Sequence, residues 1–256
     1  MGKRIITRAR GKGGLQYRAP SHRYLGKVDY LHVEAAGKAA KGQATKGYAT
    51  KEAVIKGVVK DILHDPGRSA PVAVTRFENV KEEVLHIASE GLEVGREIEY
   101  GGKPEIGNVL MLKDIPIGTR VLGLELTPNS GPKICRSAGS FATVLNKTDN
   151  KVTVQFSSGK IKDLNANCRA TIGVPAGGGR SEKPFVKAGT QFYARAARGK
   201  LFPRPSGVHM SPVDHPYGGR SKRPRTSKTV SRNAPPGAKV GSIAARRTGI
   251  RKGVKK

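Results

Sequence analysis

Val152, Val154 and Phe156 alternate with Thr153 and Gln155, the period-two pattern of a strand with one buried face. The run follows Phe141-Ala142-Thr143-Val144-Leu145 across a short polar loop, residues 146–150, and the two predict a hairpin. A second turn at Ser157-Ser158-Gly159-Lys160 leads into Ile161-Lys162-Asp163-Leu164. Upstream, an apolar run over residues 58–63 stops before Asp65-Pro66-Gly67, residue types that favour turns. Further strands are predicted at residues 72–74, 83–87, 97–100 and 120–126. Short strands separated by Gly and Pro predict small closed barrels rather than alternating strand–helix units. Roughly ten strands amount to about two five-stranded barrels. The seam falls within residues 95–107, where Gly101-Gly102-Lys103-Pro104 interrupts the pattern.

The two ends read differently. From Ala194 onward apolar residues are scattered without sustained period, and Arg220-Ser221-Lys222-Arg223-Pro224-Arg225 is not a sequence that folds alone. The charge follows the same division. Residues 1–60 carry 14 basic and 3 acidic side chains, residues 61–192 carry 17 and 15, and residues 193–256 carry 17 and 1. The middle is balanced like an ordinary soluble domain, so nearly all of the net +29 lies in the ends. Such a charge opposes compaction and calls for a polyanionic partner: DNA, RNA or an anionic membrane. Tails of this kind become ordered on phosphates and release condensed counterions as they do so. Tyr17, Tyr24, Tyr193 and Phe202 interleave with the cations, as a surface stacking on bases or riboses would require, or as small local hydrophobic anchors would.

The membrane alternative is excluded at this stage. No apolar run approaches the roughly 18 residues that a spanning helix needs, and the basic N-terminus lacks an apolar signal core. Cys135 and Cys168 stand 33 residues apart, in neither a redox nor a zinc spacing. They are expected to be buried thiols in a reducing, cytoplasmic setting. The motifs of phosphate-binding loops, zinc proteases and serine hydrolases are absent. The run Gly173-Val174-Pro175-Ala176-Gly177-Gly178-Gly179-Arg180 suits a loop whose backbone approaches RNA closely. No cofactor or metal is expected. Of six histidines, His64 and His86 read as structural, and His215 follows Asp214, the one acid in the last 64 residues. A carboxylate beside an imidazole could make His215 a general base. Without a partner nucleophile or metal set, hydrogen bonding within a rigid Pro–Gly loop against RNA is the favoured role.

Val208-His209-Met210-Ser211-Pro212-Val213-Asp214-His215-Pro216-Tyr217-Gly218-Gly219 resembles the signature V-x-M-N-P-V-[DE]-H-P-x-G-G of the universal large-subunit ribosomal protein family called L two. Arg136-Ser137-Ala138-Gly139 and Cys168-Arg169-Ala170-Thr171-Ile172-Gly173 occupy that family's R-S-A-G and C-R-A-T-I-G positions, in order. Gly107-Asn108-Val109-Leu110 and Ile115-Pro116-Ile117-Gly118-Thr119 match the stretch before them. The ending, through Ala234-Pro235-Pro236-Gly237 and Ala244-Ala245-Arg246-Arg247-Thr248-Gly249, is similar to archaeal and eukaryotic members. His209, Ser211 and Arg220 stand where Ala, Asn and a third Gly are usual.

The resemblance implies an all-β chain: an OB-fold barrel, then an SH3-like barrel, with extended basic tails. The expected divisions are a basic extension over 1–35, the OB-fold domain over 36–95, the SH3-like domain over 96–192 and a basic extension over 193–256. The implied function is that of a non-enzymatic constituent of the large ribosomal subunit, on rRNA near the peptidyl transferase centre, supporting subunit association. Implied partners are large-subunit rRNA, other ribosomal proteins and the small subunit at the interface, without a membrane. The expected rRNA contacts are Lys3, Arg4, Arg8, Arg10, Lys12, Arg136, Arg169, Arg180, Arg195, Arg198, Arg204, His209, Ser211, Asp214, His215, Arg220, Lys222, Arg223, Arg225, Arg246 and Arg247. The competing classes are an architectural nucleic-acid-binding protein and an RNA-modifying enzyme using Asp214 and His215. The charge of the ends predicts that residues 220–256 exchange amide protons freely in the free protein and become protected in the assembled particle. Strong protection in the free protein would contradict this.

Overall fold

The computed structural model describes residues 12–31, 54–77, 83–219 and 228–245. The chain divides into two compact units: Ser21–Pro184, and the two ends together, Met1–Pro20 with Phe185–Lys256. Among the described residues of Ser21–Pro184 ten strands form one sheet. They are β1 (Ile55–Leu63), β2 (Val72–Phe77), β3 (Val84–Ile87), β4 (Glu97–Tyr100), β5 (Val109–Met111), β6 (Arg120–Leu122), β7 (Ala142–Lys147), β8 (Lys151–Phe156), β9 (Ile161–Asn165) and β10 (Arg169–Ile172). Their order is β3-β2-β1-β4-β5-β10-β6-β7-β8-β9. Neighbours are antiparallel except β4 and β5, which meet in parallel through Tyr100 and Val109. The protein is therefore mostly β. Among the described pairings β3 and β9 end the order, and none closes it into a ring.

The alternating runs became strands for the reason their pattern suggested. In β8, Val152 and Val154 are wholly buried in the same core as Ala142 and Val144 of β7, with Val154 paired to Val144. In β1, Ile55, Gly57 and Val59 point inward while Lys56, Val58 and Lys60 face out. A bulge between Val59 and Asp61 then breaks the alternation, as an extra residue on one strand must. β4 pairs with β1 across Ile55–Tyr100 to Val58–Glu97, and the chain passes to the second half of the sheet through residues 101–108. The run at residues 120–126 is strand only as far as Leu122. Gly123 has a positive φ of +63°, and beyond it Leu124 and Glu125 are wholly buried.

Two polar systems are sealed within this unit. In the first, Glu125 and Arg169 are 0% and 5% exposed and form an ion pair at 2.9 Å. The Glu125 carboxylate also accepts the backbone N–H groups of Arg169 at 2.9 Å, Gly131 at 2.9 Å and Asn129 at 3.3 Å. The Arg169 guanidinium donates further to the Leu31 carbonyl and lies 5.4 Å from the Tyr30 ring centre. Each charge is thereby neutralised and hydrogen-bonded, the condition under which burial is tolerable.

The second system is centred on His86. The Thr75 hydroxyl donates to the Val84 carbonyl at 2.8 Å, so its oxygen accepts from His86 Nδ1 at 2.7 Å. Nε2 then carries the lone pair and accepts the Tyr100 hydroxyl at 2.5 Å. That hydroxyl in turn accepts the Leu31 N–H at 3.4 Å. One-directional donation thus fixes a neutral imidazole with its proton on Nδ1. Burial holds the His86 pKa down, at about 4, against the opposing pull of the Asp29 charge. Burial also raises Tyr30 and Tyr100 well above the ordinary tyrosine range.

Among the described residues the ends hold one α-helix, α1 (Ala188–Ala196), and a two-stranded parallel pair, β11 (Thr229–Val230) with β12 (Ser242–Ile243). The tail expectation for residues 220–227 and 246–256 lies outside the described residues.

Glu125→Ala strands the Arg169 cation in the core and should lower stability by roughly 3–5 kcal/mol. Urea unfolding of the full chain at neutral pH measures this, and Lys56→Met, which breaks only the exposed bridge to Glu97 and Glu99, should leave the midpoint in place. His86 gives a pH dependence of definite sign. The unfolded chain takes up its proton near pH 6.5 and the folded chain only near 4, so stability is complete above that window. It should fall by about 3 kcal/mol as pH drops through the window. His86→Gln should flatten this component in paired urea titrations.

Candidate nucleic-acid interface

Within Ser21–Pro184, two cation-bearing segments are fastened backbone to backbone. Gly139, with φ +71°, packs so closely on Gly178 that a Cβ there would lie 2.7 Å from the Gly178 Cα. Its N–H donates to the Pro175 carbonyl at 2.9 Å, and the Ala138 N–H donates to Ser69 Oγ at 3.1 Å. Arg136 is exposed at one end of this junction and Arg180 at the other, in the short 3-10 turn Gly178–Ser181. A third guanidinium, Arg68, is held by the buried Asp65 carboxylate and by the Gly26 carbonyl at 2.7 Å. Asp65 itself is fixed by accepting the Gly67 N–H at 2.9 Å. Burial and the nearby Arg136 charge both lower the Arg68 pKa. Like charges brought together on a preorganised backbone form a place for an anion such as a phosphate. Arg68 was not anticipated from sequence, although the Asp65-Pro66-Gly67-Arg68 turn contains the i, i+3 spacing that forms the pair.

Arg169 is elsewhere. Its guanidinium is spent on Glu125 and Leu31 within the core, so it acts as an internal cation and positions no exposed donor.

In the other unit, the loop carrying His215 is built on small residues. The His215 ring lies against Gly207, where a Cβ would come within 2.3 Å of Cε1. Gly207–His209 forms a single 3-10 turn, and Asp214 and His215 both donate backbone N–H groups to the Ser211 carbonyl, at 2.9 and 3.1 Å. The Tyr217 N–H donates to His215 Nδ1 at 3.0 Å. That bond uses the Nδ1 lone pair and leaves the neutral ring its proton on Nε2. Burial and the Arg204 charge lower the His215 pKa, which reinforces the neutral form. The ring therefore offers a donor at Nε2 and no free lone pair for a proton, and among the described residues no hydrogen bond ties it to Asp214. Tyr217 fastens the loop to the neighbouring pair. Its hydroxyl lies 3.3 Å from the carbonyls of both Lys228 and Val240, beside β11 and β12.

His209, Ser211, Asp214, Arg204 and Lys12 are exposed, whereas Arg195 and Arg198 are half-buried. Arg195 sits over the Phe202 ring, 5.5 Å from its centre. Lys3, Arg4, Arg8, Arg10, Arg220, Lys222, Arg223, Arg225, Arg246 and Arg247 lie outside the described residues. Cys135 is half-buried and Cys168 buried, both as free thiols, and burial pushes the Cys135 pKa up to about 11. Among the described residues no three His, Cys, Asp or Glu side chains gather as a metal site, and no helix is long and apolar enough to cross a membrane.

A β-rich unit with convergent guanidiniums, joined to cation-dominated ends, defines a nucleic-acid-binding protein. Residues 26–100 match the family model described as "Ribosomal Proteins L2, RNA binding N-terminal domain", and residues 105–239 match "Ribosomal Proteins L2, C-terminal domain". The boundary between them falls where the chain leaves β4. The chain is 46% identical over 255 residues to the "Large ribosomal subunit protein uL2" of Methanothermobacter thermautotrophicus, covering 98% of this chain and 100% of that one. It is 48% identical over 252 residues to the protein of that name from Methanococcus maripaludis, covering 97% and 99%. The chain belongs to the ribosomal protein L2 family.

Proposed function

We propose that this chain, a structural RNA-binding constituent of the large ribosomal subunit, lies on rRNA near the peptidyl transferase centre and supports subunit association. Family membership makes it a component of the particle rather than an enzyme, working in the cytoplasm with rRNA and other ribosomal proteins. The small subunit is its partner across the interface. The observation that carries the reading is the convergence of Arg68 and Arg136 beside the Gly139–Gly178 contact, a cationic, backbone-lined surface suited to phosphates. The strands β1 to β4 act as the OB-type element and β5 to β10 as the SH3-like element. The ends outside Ser21–Pro184 are the extensions that thread into rRNA, narrower at the N-terminus than the expected 1–35 because Val28, Tyr30 and Leu31 are core residues. Arg136, Arg180, Arg195, Arg198, Arg204, Lys12, His209, Ser211, Asp214 and His215 contact RNA, together with the cations of the two termini.

His215 positions RNA through Nε2–H. A tagged copy should sediment with the large subunit in cell extract. His215→Gln, which keeps a hydrogen-bonding group, should weaken assembly while fully assembled subunits form peptide bonds at close to the normal rate in single-turnover assays. A general base would instead cost about 10²–10⁴-fold in that step, and a loss of that size would overturn the assignment.

A further inference from the structure

Residues 181–200 contain no buried side chain, yet they include a helix. α1 is nine residues long, has no side-chain N-cap, carries no acid in its first turn and buries none of its residues. An isolated helix of fewer than about 12–15 residues is marginal in water, so α1 depends on something laid against it. Its apolar groups face outward. Tyr193 is 74% exposed, Phe192 47%, and just upstream Val186 is 91% and Phe185 50% exposed.

The spacing around the two helical rings is specific. The neighbours of Tyr193 at i±3 and i±4 are Gly189, Thr190, Ala196 and Ala197; those of Phe192 are Ala188, Gly189, Arg195 and Ala196. On a helix these are the positions that would otherwise cover a ring. All are small apart from Arg195, which leans over Phe202. The rings stand clear at 5.5 Å and 80° to each other, edge to face, and present π faces in two directions. Charge selects what covers them. From residue 183 to residue 213 there is no Asp or Glu, while Lys183, Lys187, Arg195, Arg198, Lys200 and Arg204 supply six cations. An apolar protein partner would require no such exclusion of acids, whereas a strand of unpaired nucleotides offers both a flat apolar face and a phosphate at every step.

We propose that α1 is a stacking platform for unpaired RNA bases, with Phe192 and Tyr193 receiving base faces and the flanking cations holding the adjoining phosphates. The platform rests on the rRNA-binding reading above and narrows it: this part of the chain recognises unstacked nucleotides, while the Arg68–Arg136 surface takes phosphates irrespective of pairing.

The test uses the full chain and two probes, an unstructured single-stranded RNA oligonucleotide and an RNA duplex with the same number of phosphates. Phe192→Leu and Tyr193→Leu keep apolar bulk but remove the π faces, at exposed positions where folding does not depend on the ring. Each should weaken single-strand binding by about tenfold, leave duplex binding unchanged and leave the salt dependence of both intact. Unchanged single-strand affinity in the doubly substituted chain would overturn the platform while leaving the ribosomal reading standing. Equal losses on both probes would overturn it as well, because they would mean a general electrostatic or folding effect. Normal binding to both RNAs with failed incorporation into large subunits would assign α1 to a protein partner instead. Failure of the unaltered chain to bind either RNA would overturn the ribosomal reading and the platform with it.

Discussion

A chain with a net charge of +29 can form a core only if the few cations that enter it are neutralised there and the rest stay outside. The Glu125–Arg169 pair is where that condition is met. Glu125 collects the Arg169 side chain and three backbone amides, so a single carboxylate fixes the start of β10 and the turn over residues 129–131. Arg169 reaches on to the Leu31 carbonyl, and so ties the segment before β1 to the middle of the sheet. Tyr30 belongs to the same arrangement. Its hydroxyl donates to the Gly123 carbonyl at 2.9 Å and faces Thr171 Oγ1 at 2.8 Å, which must then be the donor to it. Every buried polar atom in this cluster has a definite role, and alternative registers of β6 and β10 would leave a charge unpaired.

A rigid interior allows the outer cations to be held close together. Arg136 stands near enough to Arg68 to lower the Arg68 pKa, because Asp65 restrains the one and the Gly139–Gly178 contact restrains the segment bearing the other. Free tails would spread such charges apart. The contrast between the units is therefore one of mechanism. The β-rich unit presents a few guanidiniums in set positions, and the ends carry most of the chain's excess positive charge. His215 shows the intermediate case, a loop given shape by glycine contacts and by Tyr217, and chemically quiet because its Nδ1 lone pair is already used.

The β7–β8 hairpin, the strands around it and the balance of charge were legible because alternation and composition are local properties. β5 and β10 were not read as strands. Val109 and Leu110 are both buried, and all four residues of β10 are, so no alternation marks them. α1 went unanticipated because nine residues containing Gly189 and Thr190 carry little helical preference. The bend after Leu122 was hidden in an apolar run for the opposite reason: the same residues that continue a strand can also pack behind a positive-φ glycine.

The sequence by itself determined that the chain is β-rich in its middle, polycationic at its ends and a member of its family, because these depend on residue types and their order. Tertiary structure alone decided which cations are available to a partner. Arg136 and Arg169 look alike along the chain, each in a short motif beside small residues. One is exposed and the other is consumed by a carboxylate 44 residues away. The proton on His215 was settled in the same way, by a backbone amide brought within 3.0 Å. Charge and hydrogen-bonding capacity are written in the residue, but whether they are spent inside or left for RNA depends on distance, and distance is set only when the chain folds.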